Sequence, residues 1–411
     1  MKWNSKTCIA LVDMQAFFPS CEQIDFPELM NKPVAVTNGE AGTCIISSSY
    51  EARAYGIKTG MRMQEALRLC PEIIKRPSRP KRYAEISANI ISALRNITPD
   101  IEVFSIDECW MNLYPVLDLY KGVENIATMI RQAVYDSSGG INCSIGISEG
   151  KLTAKFVAGV NKGKTAIVPA DKIKEYMAPY PLEKFCGIGD RILQYLNDRG
   201  LKTIGDLQRA PHNVLSIKYG IVGKRIHSAC NGHDPVELIT KESLPKSIGH
   251  SKQLPPFLRD RNIIESTLLH LTYRLTRRMR LLNIRSKSVR IYLLSKYKLI
   301  RKIYYFKQAN NCNHEFIKAV KAHMQLYKGE PLLKLGIKCW EIEYSDSEQL
   351  DLFNEPYNSK HLQCDIAMDK INQKFGDNTI RPAMEYIVDK LDLVPVIAFN
   401  FNATSKSKNS L

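Results

Sequence analysis

Apolar positions along this chain come in short runs that stop at charged or turn-forming residues. Ile9, Ala10, Leu11 and Val12 run unbroken into Asp13, which predicts a buried strand ending in a carboxylate. Ala16, Phe17 and Phe18 follow as a helical turn. Strands are expected over 32–36 and 43–46, and a helix over 48–55 that stops at Gly56. Pro77, Ser78, Arg79 and Pro80 break the chain, and a long amphipathic helix follows over 81–97. Val103, Phe104 and Ile106 then lead into Asp107 and Glu108, with Trp110, Met111 and Leu113 beyond, a pattern that reads as a buried strand breaking at an acidic pair. A helix over 121–136, a strand over 142–147 and a helix from Leu152 complete the run. Strand, helix, strand, strand, helix, strand is the split βαβ pattern of a ferredoxin-like sheet, with 25–78 as a compact mixed insert.

Two strands that end in carboxylates change the picture from fold to chemistry. A buried carboxylate costs several kcal/mol unless positive charge compensates it. If the strands of Asp13 and of Asp107 and Glu108 lie side by side, their oxygens suit hard divalent cations of the kind held beside substrate phosphates. A lone acidic pair is more often a solvated loop or a helix cap; the second acid-ended strand is what favours the site.

Beyond Pro181 the texture changes. Phe185, Cys186, Gly187, Ile188 and Gly189 precede a helix, and 201–207 follows it as a helix-hairpin-helix signature whose glycine amides suit a phosphate backbone. Gly220, Gly223 and Lys224 lie in a second, degenerate copy over 219–225. Residues 236–246 read as a linker. The basic stretch after it carries Arg274, Arg277, Arg278 and Arg280 on one helix, and alternation over 289–293 predicts a strand with one buried face.

The formal net charge of +16 in 411 residues implies a polyanionic partner, nucleic acid first. No apolar run reaches the length of a membrane span, and the N-terminus is no signal peptide. Eleven cysteines without a Cys-x-x-Cys pair suggest reduced thiols and a cytoplasmic protein. His227, Cys230 and His233 have a zinc-like spacing but no evident fourth ligand.

With Asp13, the 49–56 segment Ser-Tyr-Glu-Ala-Arg-Ala-Tyr-Gly, the 105–108 segment Ser-Ile-Asp-Glu and the 246–249 segment Lys-Ser-Ile-Gly, the chain resembles a bacterial Y-family, translesion DNA polymerase of the UmuC/DinB type over roughly 7–350. The resemblance implies an α+β multidomain right hand. Its parts would be a ferredoxin-like palm (1–25 and 79–170), fingers (26–78), a helical helix-hairpin-helix thumb (171–235), a linker (236–245), an α/β little finger (246–345) and a C-terminal tail (346–411). It implies low-fidelity, low-processivity insertion of deoxynucleotides opposite damaged bases in the SOS response, without proofreading. Two Mg²⁺ ions, or Mn²⁺ in their place, would be held by Asp13, Asp107, Glu108 and the Met14 carbonyl. Ser47, Tyr50, Arg53 and Lys162 would contact the triphosphate, and Phe18, with Phe17 beside it, would screen the sugar. Primer-template DNA would be tracked by Gly187, Gly189, Gly220, Gly223, Lys224, Arg277 and Arg278. Gln15 and Ala16 depart from the acid and aromatic common elsewhere in the family.

Gln349, Leu350, Asp351, Leu352 and Phe353 form an apolar anchor in a polar stretch and resemble a bacterial sliding-clamp motif, with internal packing as the plainer reading. Whether an SOS accessory subunit takes part stays open. A nucleotidyl cyclase also pairs carboxylates on such a sheet, but needs no hairpins or basic domain. A DNA-binding accessory protein would not need the acids.

Overall fold

The computed structural model describes residues 7–40, 42–234, 237–240, 245–255, 257–344, 360–376 and 379–383. The chain divides into two units, before and after residues 242–243, and each is taken by itself.

The first unit opens with β1 (Ile9–Met14), whose residues are buried on both faces except at Asp13. Burial on both faces explains why the strand reads as a continuous apolar run rather than an alternation. Then come α1 (Phe17–Asp25), β2 (Val34–Thr37), β3 (Ile45–Ser48), α2 (Tyr50–Ala54), α3 (Met63–Leu69) and β4 (Ile74–Pro77). The last three strands form a small sheet in the order β3-β2-β4. Ser49 caps α2, its hydroxyl accepting the Ala52 amide, and Gly56 ends the turn at φ +82°.

After the break at Pro80 the chain gives α4 (Pro80–Arg95), β5 (Ile101–Val103), β6 (Glu108–Asn112), α5 (Val123–Ser138), β7 (Cys143–Ser148), α6 (Lys151–Val160) and β8 (Thr165–Ile167). The five-stranded sheet has the order β5-β6-β1-β7-β8, with β1 antiparallel to both β6 and β7. Its first four strands have the split βαβ order, and β8 extends the edge in parallel to β7. Tyr83, Ile86, Ile90 and Leu94 of α4 and Ile126, Ile130 and Val134 of α5 pack on Ala10, Val12, Cys109, Met111, Ile145 and Ile147. The opposite face carries Ile9, Leu11 and Trp110 against Ala154 and Ala158 of α6.

The break expected at the acidic pair starts earlier, at Phe104: β5 stops at Val103 and β6 begins at Glu108. The amides of Phe104 and Ser105 both donate to the Glu108 carbonyl, closing a tight hairpin, and the Phe104 side chain is exposed. Asp107 therefore sits on the turn itself.

The first unit continues with α7 (Ala170–Met177), α8 (Asp190–Asn197), α9 (Ile204–Arg209) and α10 (Ser216–Cys230), around a core that includes Phe185, Leu196, Leu207, Leu215 and Ile226. Thr203 and Asp206 form a capping box at the start of α9. Gly220, at φ 55° and ψ −133°, kinks α10. Cys230 is buried in this core, His227 Nε2 lies 3.3 Å from the Ala210 carbonyl, and no metal-holding group forms from His227, Cys230 and His233.

The second unit contains β9 (Ile248–Gln253), α11 (Arg261–Leu281), β10 (Ile284–Ser295), β11 (Leu299–Asn310), α12 (Asn313–Met324), β12 (Leu332–Tyr344) and α13 (Lys360–Phe375). Its four strands are antiparallel in the order β11-β10-β12-β9. Val289, Ile291 and Leu293 are buried and Arg290 and Tyr292 are not, as the alternation predicts. All eleven cysteines are free thiols, and no helix among the described residues is long and apolar enough to cross a membrane.

Candidate active site

The antiparallel pairing of β1 and β6 sets Asp13 directly opposite Glu108. One residue on, the Met14 amide donates to the Asp107 carbonyl at 2.8 Å, which pins the hairpin turn to the end of β1. Asp13, Asp107 and Glu108 thus share one end of the sheet. Ser105 Oγ donates to Asp107 Oδ1 at 2.5 Å and fixes that carboxylate. Burial raises the Asp107 pKa first and the Asp13 charge adds to it. Glu108 is raised by burial too, against the lowering effect of Lys155, with Asp13 and Asp107 repelling its charge. Asp107 thus senses the Asp13 charge, and Glu108 senses both Asp13 and Asp107.

Two lysines answer this charge. Lys162 Nζ lies 2.5 Å from Asp13 Oδ2 and Lys155 Nζ 2.6 Å from Glu108 Oε1. Lys155 also lies over the Phe104 and Trp110 rings, at 4.5 and 5.6 Å. One turn back on α6, the buried Lys151 pairs with Glu102 at 2.7 Å and stands 4.5 Å above Trp110. With the side chains so paired, no three acidic, His or Cys groups among the described residues close on one point as a metal cage would. The donor chemistry nonetheless fits a hard divalent cation: three carboxylates, mutually repelling and half-buried, at one sheet end. Lys162, expected at the triphosphate, meets Asp13 instead. Lys155 and Lys151 escaped the sequence reading; their i, i+4 spacing facing an aromatic strand was the available signal.

The remaining site residues cluster in two places. Ser47 lies on β3, and Tyr50 and Arg53 share α2, with the Arg53 guanidinium 4.9 Å above the Tyr50 ring and its Nε on the Ser48 carbonyl. Phe17 is buried in the sheet core, whereas Phe18 is only partly buried at its margin. Ala16, which begins α1, is left-handed at φ 41°, an uncommon conformation for a residue with a side chain.

The expected DNA contacts are dispersed. Gly187 turns at φ +97° ahead of α8 and Gly189 is that helix's N-cap. Around the Gly220 kink, Ile217, Ile221 and Val222 are exposed. Gly223 has a packing reason to be glycine: a Cβ there would come within 2.5 Å of the Leu215 backbone. In the second unit, Arg277 Nε is 3.8 Å from Asp369 of α13 and Arg280 Nε is 2.6 Å from the same residue. Arg278 is partly buried and its pKa is lowered, by burial and then by Arg274. Much of the α11 charge is therefore met within its own unit. Residues 349–353 lie outside the described residues.

Acids gathered at one end of a split βαβ sheet suit nucleotidyl transfer. Residues 12–159 match the impB/mucB/samB family and residues 245–352 match its C-terminal domain. The DNA polymerase IV of Pelotomaculum thermopropionicum is 32% identical over 390 residues, covering 92% of this chain and 94% of that protein. Those of Moorella thermoacetica and Clostridium kluyveri are each 32% identical, over 93% and 91% of this chain and 96% of each relative. The chain belongs to the Y-family of DNA polymerases. It is a DNA-directed DNA polymerase, with DNA and deoxynucleoside triphosphates as its substrates.

Proposed function

We propose that this polymerase performs translesion synthesis, inserting deoxynucleotides opposite damaged template bases as part of a DNA-damage response. The observation that carries the catalytic part is the shared sheet end of Asp13, Asp107 and Glu108, with Met14 hydrogen-bonded to the Asp107 backbone. Asp13, Asp107, Glu108 and the Met14 carbonyl would hold two Mg²⁺ ions, whose chemistry is to activate the primer 3′-hydroxyl and neutralise the triphosphate. The residues of the chain do the rest by positioning. Ser47, Tyr50, Arg53 and Lys162 grip the phosphates, Lys162 by leaving its pairing with Asp13. Phe18 lies under the sugar and leaves no room for a 2′-hydroxyl.

Residues 1–25 and 79–170 then act as palm and 26–78 as fingers. The core of the latter is small, built from Ala35, Ile45, Ala52, Ile57, Met63, Ala66, Cys70 and Ile73. Such a light roof over the templating base favours tolerance of distorted bases.

Asp107→Ala is expected to abolish nucleotide incorporation and leave primer-template affinity within about twofold, because phosphate contacts to basic groups supply most of the affinity. Single-nucleotide insertion and DNA binding measured side by side check this. Near-normal insertion by the variant would remove Asp107 from the chemistry. Comparing insertion opposite an abasic site with insertion opposite an undamaged base tests the translesion part.

A further inference from the structure

Glu22 is fully buried, and nothing in the chemistry above uses it. On α1 it lies four residues after Phe18, so the two side chains share one helix face. Both engage the same partner. The Tyr83 hydroxyl donates to Glu22 Oε1 at 2.7 Å, while the Tyr83 ring stacks on Phe18 with centroids 4.7 Å apart and planes 14° from parallel. Tyr83 is itself fully buried in α4. Glu22 is held in turn: Arg76 Nε donates to its Oε2 at 3.0 Å and Arg79 Nε to its Oε1 at 2.7 Å. Phe26 lies against both guanidinium groups, at 4.1 and 4.9 Å, and Arg82 pairs with Asp25 at 2.9 Å. Arg76 belongs to β4 of the small sheet.

A buried carboxylate with three donors is strongly oriented, because losing any one donor leaves charge unsatisfied in a low-dielectric site. We propose that Glu22 is the positioning residue of the sugar gate: by fixing the Tyr83 hydroxyl it fixes the ring on which Phe18 rests, and so sets how closely Phe18 approaches the 2′ carbon of the incoming nucleotide. Through Arg76 the same carboxylate ties the gate to the small sheet that carries Ser47 on its β3 strand. The inference rests on the reading of Phe18 as the sugar gate, and the test separates the two.

The full-length chain is assayed on a primer-template with Mg²⁺ for the ratio of kcat/KM between a deoxynucleotide and the matching ribonucleotide. The ratio is independent of the fraction of active protein, so a folding loss alone does not move it. Phe18→Ala, Glu22→Gln, Tyr83→Phe and the Glu22→Gln/Phe18→Ala double variant are compared with the parent. Phe18→Ala should collapse the ratio. Tyr83→Phe keeps the ring and loses only the hydroxyl; it and Glu22→Gln should each lower discrimination roughly tenfold, the scale of one hydrogen bond to a charged group. The double variant should fall no further than Phe18→Ala alone. If Phe18→Ala collapses the ratio while Tyr83→Phe and Glu22→Gln match the parent, the positioning role is overturned and the gate stands. Additive loss in the double variant overturns it as well, because Glu22 would then act by another route. An unchanged ratio in Phe18→Ala overturns the gate, and with it any role exerted through it. Should Glu22→Gln fail to fold, Tyr83→Phe alone decides.

Discussion

Asp206 shows how a single carboxylate can be read for its contribution. It accepts the backbone amides of Thr203 and Lys202 at 2.9 and 3.0 Å, and these hold its pKa down to about 2. A group with a depressed folded-state pKa contributes stability above its unfolded value and loses that contribution as pH falls through the folded value. Asp206→Asn should therefore cost about 1 kcal/mol near neutral pH. The gap between variant and parent should close as the pH falls through the carboxylate range toward 2. Urea unfolding of both proteins across that range checks the sign, and a gap that widened in acid would contradict it. The capping box Thr203-x-x-Asp206 joins residues within one turn, because a cap is a local device. The Lys155–Glu108 and Lys162–Asp13 pairs could not be read from the sequence, since their partners lie 47 and 149 residues apart.

At the scale of elements, α6 packs closely across β7 at Gly146. A Cβ on Gly146 would lie 2.2 Å from the Ala158 amide nitrogen and 2.4 Å from the Ala154 carbonyl. Gly146→Ala must push α6 off the sheet, and the expected loss is about 1–3 kcal/mol, as for overpacked cores. Because α6 carries Lys151 and Lys155, insertion kinetics should suffer too. Gly159, on the same helix, has open space at its Cβ, so Gly159→Ala should be neutral or stabilising by up to about 1 kcal/mol. Urea midpoints for the pair test the contact; equal midpoints would mean that α6 does not sit where the sheet places it. The strand identity of β7 was legible from the sequence over 142–147. The need for glycine at 146 was not, because it depends on a helix crossing.

At the scale of the molecule, the +16 charge and the basic second unit suit a chain that grips DNA by its phosphates. Such a grip is open and salt-sensitive, and a polymerase built this way should dissociate after few additions. We propose that residues 349–353, between the end of β12 at Tyr344 and the start of α13 at Lys360, tether it to a sliding clamp. A tether raises local concentration without new catalytic contacts. Changing Leu352 and Phe353 together to Ala should abolish clamp-stimulated product length on a primed circular template and leave single-nucleotide insertion unchanged. Full clamp response by the double variant would place the tether elsewhere.

The sequence by itself determined much of the strand and helix order of the first unit and set Asp13, Asp107 and Glu108 apart as candidate acids. β1 runs apolar from Ile9 to Val12 because it is buried on both faces, and Asp13 stood out because burial makes a strand-end carboxylate costly. It also determined the alternating strand of the second unit, since a period of two follows from one buried face. The tertiary structure alone decided the rest. Whether 103–108 was one strand or a hairpin depended on two amides finding the Glu108 carbonyl. Whether the basic helix α11 faced open solvent depended on α13 bringing Asp365 and Asp369 to it. Which buried acid would steady the Phe18 ring depended on α4 bringing Tyr83 between Phe18 and Glu22. Local patterning encodes burial and period; partners distant in sequence meet only when the sheet closes.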